Sequence, residues 1–291
     1  MILLQAKEEF LRAQHLRGNS EDTYKYYDEV LSRFVRFWGE DFPVEFLGVE
    51  YFNDYKLLLM DMPQLSNISI NTYLRAVKVF FQWLADNGYI EDVTEKLVML
   101  KQEKRQIVPL SDAELEKLLS VFDDTLLGWR NKCIVMLMLD CGLRRSEVVR
   151  LQMSDVDYVN RCMLVNGKGN KQRLVPFGIA VYDCLMSYLD LRSRVPGSLF
   201  MGVYDSGITI DTVKMLFQNL KVKTGIRRLH AHLLRHTFAT RFMMAGGDLE
   251  SLRILLGHSS ITITQVYLHL ATVQHILQGR FISLVDKVVG M

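Results

Sequence analysis

Only one stretch of this 291-residue chain is patterned like β structure. Cys162 to Val165 and Arg173 to Phe177 are strand-like, and Asn166, Gly167, Gly169 and Asn170 between them are turn formers, so Lys168 is expected on a hairpin tip. Most of the remaining chain repeats its apolar residues at helical spacing. Tyr27, Leu31, Phe34, Val35 and Trp38 share one helix face, and Ile70, Tyr73, Leu74, Val77, Phe80, Phe81 and Leu84 share another, with Ser20 and Ser69 as candidate N-caps. The expected fold is mainly α with one small antiparallel β-sheet. The aromatic stripes lie on the buried period, which marks them as core.

The chain is long enough for two domains, and an apolar content of 49% can fill two cores. A helical N-terminal domain is expected over residues 1–100 and a polar linker over 101–109. Ser111 and Glu114 then make a capping-box signature ahead of Leu115, Leu118 and Leu119, so a second, mixed α/β domain is expected over 110–271. Within it, an apolar helix from Cys133 to Leu139 should stop at Gly142, and a short helix should follow from Ser146 to Leu151. Residues 272–291 keep an apolar helical stripe through Val273, Ile276, Leu277, Phe281, Leu284, Val285 and Val288.

Charge is divided between these parts. Residues 1–104 hold 12 Lys or Arg against 17 Asp or Glu, whereas 105–291 hold 23 against 16. From Thr212 to Gly247 there is no carboxylate, while Lys214, Lys221, Lys223, Arg227, Arg228, Arg235 and Arg241 accumulate, which makes a candidate polyanion surface. Cys133, Cys141, Cys162 and Cys184 form no CxxC pair and suit reduced, mostly core positions. No metal or cofactor is expected. No apolar run approaches the roughly 18 residues of a membrane span, and Gln5, Lys7, Glu8 and Glu9 interrupt the start too early for a signal peptide, so a cytoplasmic location is expected.

In His232-Leu-Leu-Arg235-His236, offsets of three and four put three polar heads on one side of a helix. The spacing is that of a zinc-protease HExxH motif, but Leu233 stands where the glutamate base is needed. A phosphate better suits His232 and Arg235, one helical turn apart, because a guanidinium grips two oxygens and an imidazole can carry a proton. His236, on an apolar helix, is expected to be structural.

Other phrases surround this trio. Cys141-Gly-Leu-Arg144-Arg-Ser-Glu147, Gly167-Lys168-Gly-Asn170-Lys171, His232 to Arg235, Leu256-Gly-His258 and Tyr267 follow at intervals of 24 residues from Arg144 to Lys168, 23 from Arg235 to His258 and nine from His258 to Tyr267. In order and spacing this series resembles the tyrosine recombinase and phage integrase family, Xer-like members included, from about Pro109 to Ala271.

The resemblance implies an enzyme that cuts and rejoins duplex DNA through a 3′-phosphotyrosine intermediate, without metal. Tyr267 would be the nucleophile. Arg144 and Arg235 would clamp the phosphate oxygens, where negative charge grows in the transition state, and His258 would add a third hydrogen bond. His232 would help to take up the phenolic proton, and Lys168, with Lys171 as rival, would protonate the leaving 5′-oxygen. Glu147 would orient Arg144. Arg145, Lys171, Arg173, Lys221, Lys223, Arg227, Arg228 and Arg241 are candidate DNA contacts. The N-terminal domain would be a core-binding clamp, with Arg12, Arg17, Lys25, Arg33, Arg36, Arg75 and Lys78 as its basic face.

The terminal stripe would pass to a neighbouring subunit, giving a homotetramer on two specific core sites, with a partner recombinase or directionality factor as a further possibility. The biological role would be mobile-element integration and excision in preference to chromosome-dimer resolution. The alternative is relaxation of DNA by a type IB topoisomerase. Without DNA, Tyr267 is expected to stand away from its partners.

Overall fold

The computed structural model describes residues 1–102, 108–167, 171–192, 196–202 and 206–268. The chain divides into two compact units, Met1–Arg105 and Gln106–Met291. The fold is mostly helical with one small antiparallel sheet, as the periodicity predicts.

Among the described residues of the first unit are four α-helices, α1 Leu3–Leu16, α2 Glu21–Trp38, α3 Val49–Met60 and α4 Asn67–Asp86, with short 3-10 turns at Val44–Phe46 and Thr94–Lys96. Ser20 caps α2 by accepting the Thr23 N–H. The cap of α4 is Ser66, whose hydroxyl accepts the Ser69 N–H at 3.2 Å, so the expected cap at Ser69 is corrected by one turn. The core is aromatic. Phe10 meets Tyr27, Phe80 and Trp83 edge-on at 5.2 to 5.8 Å, and Phe34 meets Tyr55 in the same way at 5.0 Å. Asn71 exchanges two hydrogen bonds with the backbone of Leu100, which ties that segment to α4. In the expected basic face, Arg33 lies 4.9 Å over the Tyr73 ring and Lys78 donates to the Leu97 carbonyl, while Arg12, Arg17, Lys25, Arg36 and Arg75 are exposed.

The second unit begins with α5, Asp112–Leu119, closed by the Ser111 and Glu114 capping box. Next comes α6, Leu126–Asp140, which starts earlier than its apolar run suggests because Thr125 caps it through the Gly128 N–H. Cys133, Ile134, Val135, Leu137 and Met138 bury this helix, and it packs against α8, Ile179–Leu191, and α10, Ala231–Met244. Between them lie α7, Arg145–Arg150, and the sheet β1 Val156–Asp157, β2 Cys162–Asn166 and β3 Gln172–Pro176. The strands run antiparallel in that order, with Asn166 opposite Gln172. Strand β1, two residues long, is an addition to the expected hairpin.

The remaining α-helices among the described residues are α9 Ile210–Thr224, α11 Leu249–Leu256 and α12, residues 261–268. Gly142 ends the α6 segment at φ +62°, where an added Cβ would lie 2.5 Å from the Phe238 ring. No described helix is long and apolar enough to cross a membrane.

Candidate active site

Glu147 organises the site. It is 3% exposed, near the start of α7, and four groups converge on its carboxylate. The Arg144 backbone N–H and guanidinium each donate to it at 2.8 Å, and Arg173 donates two bonds at 2.9 Å. Arg235 lies 4.0 Å away. Burial would raise this carboxyl, but the Arg173 hydrogen bonds and charge, followed by the Arg144 N–H and charge, outweigh it and hold the group below its ordinary range. Glu147 therefore stays ionised among three cations.

The other anchors of these arginines are three successive carbonyls where α11 ends. Arg173 Nε donates to Leu255 O at 2.7 Å, Arg235 to Leu256 O at 2.6 Å, and Arg144 to Gly257 O at 3.3 Å. The C-terminal carbonyls of a helix lack intrahelical partners and carry its negative dipole end, so cations there are favoured. Gly257 makes the turn in the left-handed region at φ +62°, and a Cβ there would meet the Arg173 guanidinium at 3.0 Å. Arg235 also reaches Gly142 O at 2.6 Å, which fixes its plane at two points.

These contacts give intramolecular partners to three of the residues expected to touch DNA. The Arg173 side chain is 8% exposed and belongs to the scaffold beneath Arg144 and Arg235. Its register could have shown this, because Arg173 shares a strand face with buried Val175 and Phe177. Arg228 binds Val108 O, Pro109 O and Glu114, and Arg241 binds Leu110 O and Asp112, so both hold the entry segment of the unit. Arg145, Lys171, Lys223 and Arg227 are exposed, and Lys221 is half-buried.

Arg144, Arg235, His232, His236, His258 and Tyr267 line one cavity of about 980 Å³, together with Lys171 and Gln172 from the hairpin. Five Lys or Arg and three His line it, and among the described residues no carboxylate does. Lys168 lies outside the described residues.

His258 is nearly buried, with Nδ1 at 2.9 Å from the Thr264 hydroxyl of α12. Burial, then the charges of Arg235 and Arg144, push its pKa down to about 4. Burial and Arg235 likewise lower His232.

Tyr267 is 4% exposed, packed with Ala239, Met243, Leu252 and Leu256, and lines the cavity instead of standing apart from it. The imidazole at its hydroxyl is His236, with Nδ1 at 2.7 Å, in the place expected for His232. His236 therefore has a position at the site that its apolar helix face did not reveal. Thr264 is a second residue that sequence reasoning passed over. Burial raises the Tyr267 phenol, and the Arg235 and Arg144 charges oppose that rise.

The set can grip a tetrahedral anion and hold a phenol beside it. Among the described residues no His, Cys, Asp or Glu cluster fits a metal ion.

Comparison with known proteins gives this chemistry a family. The profile of the phage integrase family matches residues 108–274, and that of the phage integrase N-terminal SAM-like domain matches 3–91. A tyrosine recombinase XerC of Bacillus pumilus is 35% identical over 263 residues, covering 86% of each chain. A XerC of Listeria innocua is 30% identical over 286 residues, covering 94% of this chain and 95% of its own. In fold, the Tn1549 transposon integrase in complex with a circular intermediate DNA is similar, with a TM-score of 0.78 at 22% identity over 92% of this chain and 94% of that one. With a buried phenol, paired arginines and a matched profile over both units, this chain belongs to the phage integrase family of tyrosine recombinases, enzymes that cleave and rejoin DNA.

Proposed function

We propose that the protein is a site-specific recombinase that binds duplex DNA at core sites and cuts it with Tyr267, forming a 3′-phosphotyrosine. The observation that carries this reading is the cavity itself, cationic and free of carboxylate among the described residues, with the Tyr267 ring in its wall. Arg144 and Arg235 hold the non-bridging oxygens of the scissile phosphate, His258 adds a donor, and His232 faces the same phosphate. Such donors act where charge develops and cost little reorganisation, because Glu147 and the carbonyls of 255–257 already fix them. Lys168 supplies the proton to the leaving 5′-oxygen, and Lys171, which lines the cavity, is the alternative donor.

The first unit acts as the clamp on the opposite DNA face, and residues 272–291 pass to a neighbouring subunit in a tetramer on two sites. The enzyme works on DNA in the cytoplasm, with an accessory recombinase or directionality factor as a possible partner. Its role is integration and excision of a mobile element; the apolar stripe of residues 273–288, where the resemblance leads one to expect a charged tail in housekeeping enzymes, supports this. The matched relatives are recombinases, and no observation favours a topoisomerase.

A nicked suicide substrate tests the chemistry. Wild-type protein should accumulate a covalent DNA adduct and Tyr267→Phe none, while Arg144→Ala or Arg235→Ala should slow adduct formation by on the order of 10²-fold with much of the DNA affinity kept. An adduct formed by Tyr267→Phe would refute the nucleophile. Chromosome dimers accumulating in a host that lacks the gene would overturn the mobile-element role.

A further inference from the structure

We propose that His236 is a catalytic residue, accepting the Tyr267 proton when the tyrosine attacks phosphorus and returning it when the strand is rejoined. The inference rests on Tyr267 being the nucleophile.

The geometry is direct. His236 Nδ1 lies 2.7 Å from the Tyr267 hydroxyl oxygen, inside the reach of a general base, and the ring centroids are 5.4 Å apart. His236 sits on α10, next to Arg235 in sequence and one turn beyond His232, and both rings line the cavity that holds the phosphate clamp. The His232 and His236 centroids are 6.5 Å apart, and the hydrogen bond to the phenol is the one made by His236.

A base must be neutral before it can accept. Burial and the nearby His232, His230 and Arg235 push His236 down to about 4, so at neutral pH it is an imidazole. With its proton on Nε2, the Nδ1 lone pair accepts the phenolic O–H, and the oxygen keeps lone pairs for attack. Tyr267 needs such help, because burial raises its pKa above the ordinary value. A bound phosphate brings negative charge beside the new imidazolium and offsets the surrounding cations.

The step balances. The Tyr267 O–H bond breaks and its proton goes to His236 Nδ1. An oxygen lone pair forms the bond to phosphorus, and the bond from phosphorus to the 5′-oxygen breaks with its electron pair on that oxygen, which Lys168 protonates. Rejoining runs the same transfers in reverse.

The test is single-turnover adduct formation on a nicked suicide substrate, with DNA affinity measured in parallel. His236→Gln keeps a polar group beside the phenol but cannot take its proton, and His236→Leu removes both capacities. Both should slow cleavage by on the order of 10²-fold with DNA affinity retained. If His236→Leu fails to fold, His236→Gln decides alone. A substrate with sulfur in place of the 5′-bridging oxygen needs no proton on its leaving group. It should restore Lys168→Ala and leave His236→Gln slow. A loss of less than tenfold in His236→Gln, or its recovery on the sulfur substrate, would overturn the proposal. Adduct formation by Tyr267→Phe is a separate result, and it would sink the nucleophile assignment instead.

Discussion

At the scale of single residues, a buried carboxylate with its counter-ions governs this site. Removing one partner of a buried charge cluster leaves the others uncompensated, which typically costs about 3 to 5 kcal/mol. Glu147→Gln should therefore lower the urea midpoint of the second unit sharply and also slow cleavage, since Arg144 loses its anchor; an unchanged midpoint would contradict the central place given to Glu147. Thr264 acts more locally. For His258 to offer Nε2–H to a phosphate, Nδ1 must be the acceptor, so the Thr264 hydroxyl must donate to it. Thr264→Val removes that donor at constant shape, and adduct formation should slow about fivefold to tenfold, the worth of a hydrogen bond of ~1 kcal/mol. An unaltered rate would show that another contact sets the tautomer. Arg144, Arg235, His258 and Tyr267 are legible in the sequence, because spaced phrases single them out. Arg173 and His236 make contacts that their residue types do not announce, for a shared reason. Their settings depend on which side chain each one meets across the fold, and residue type alone does not carry that.

At the scale of elements, the chain announces a helix best where a cap and an apolar face coincide. The Ser111 and Glu114 box marks the start of α5 within the sequence itself, and the turn formers at 166–170 mark the hairpin. Helix α4 is harder, because Ser66 and Ser69 are both good caps three residues apart and neither is paired with an acidic residue. The capping bond belongs to Ser66, so Ser66→Ala should destabilise the first unit by ~1 kcal/mol and Ser69→Ala by clearly less in thermal melts. Equal losses would mean that the helix starts differently in solution. Helix α3 ends in Leu57-Leu-Leu-Met60, an unbroken apolar run in which period is hard to see, and two of its members, Leu57 and Met60, are exposed.

At the scale of the whole molecule, acidity should act through the histidines of the second unit. His236 and His258 are held at about 4, against an ordinary value of 6.5. Between those values the unfolded chain binds protons that the folded protein refuses, so stability falls as pH drops through the window and is unaffected by these groups above it. The melting temperature should decline from pH 6.5 towards pH 4.5, and less steeply in His236→Gln; a flat profile would refute the shifts. The turn at 255–257 has a further consequence. The carbonyls that seat the three arginines, the imidazole of His258 and the phenol of Tyr267 all belong to residues 255–267, a single short length of chain. Backbone length there sets the spacing between the Tyr267 hydroxyl and the three arginines. One glycine inserted after Ser259 would leave each of these side chains present and put the proposed nucleophile and clamp out of step.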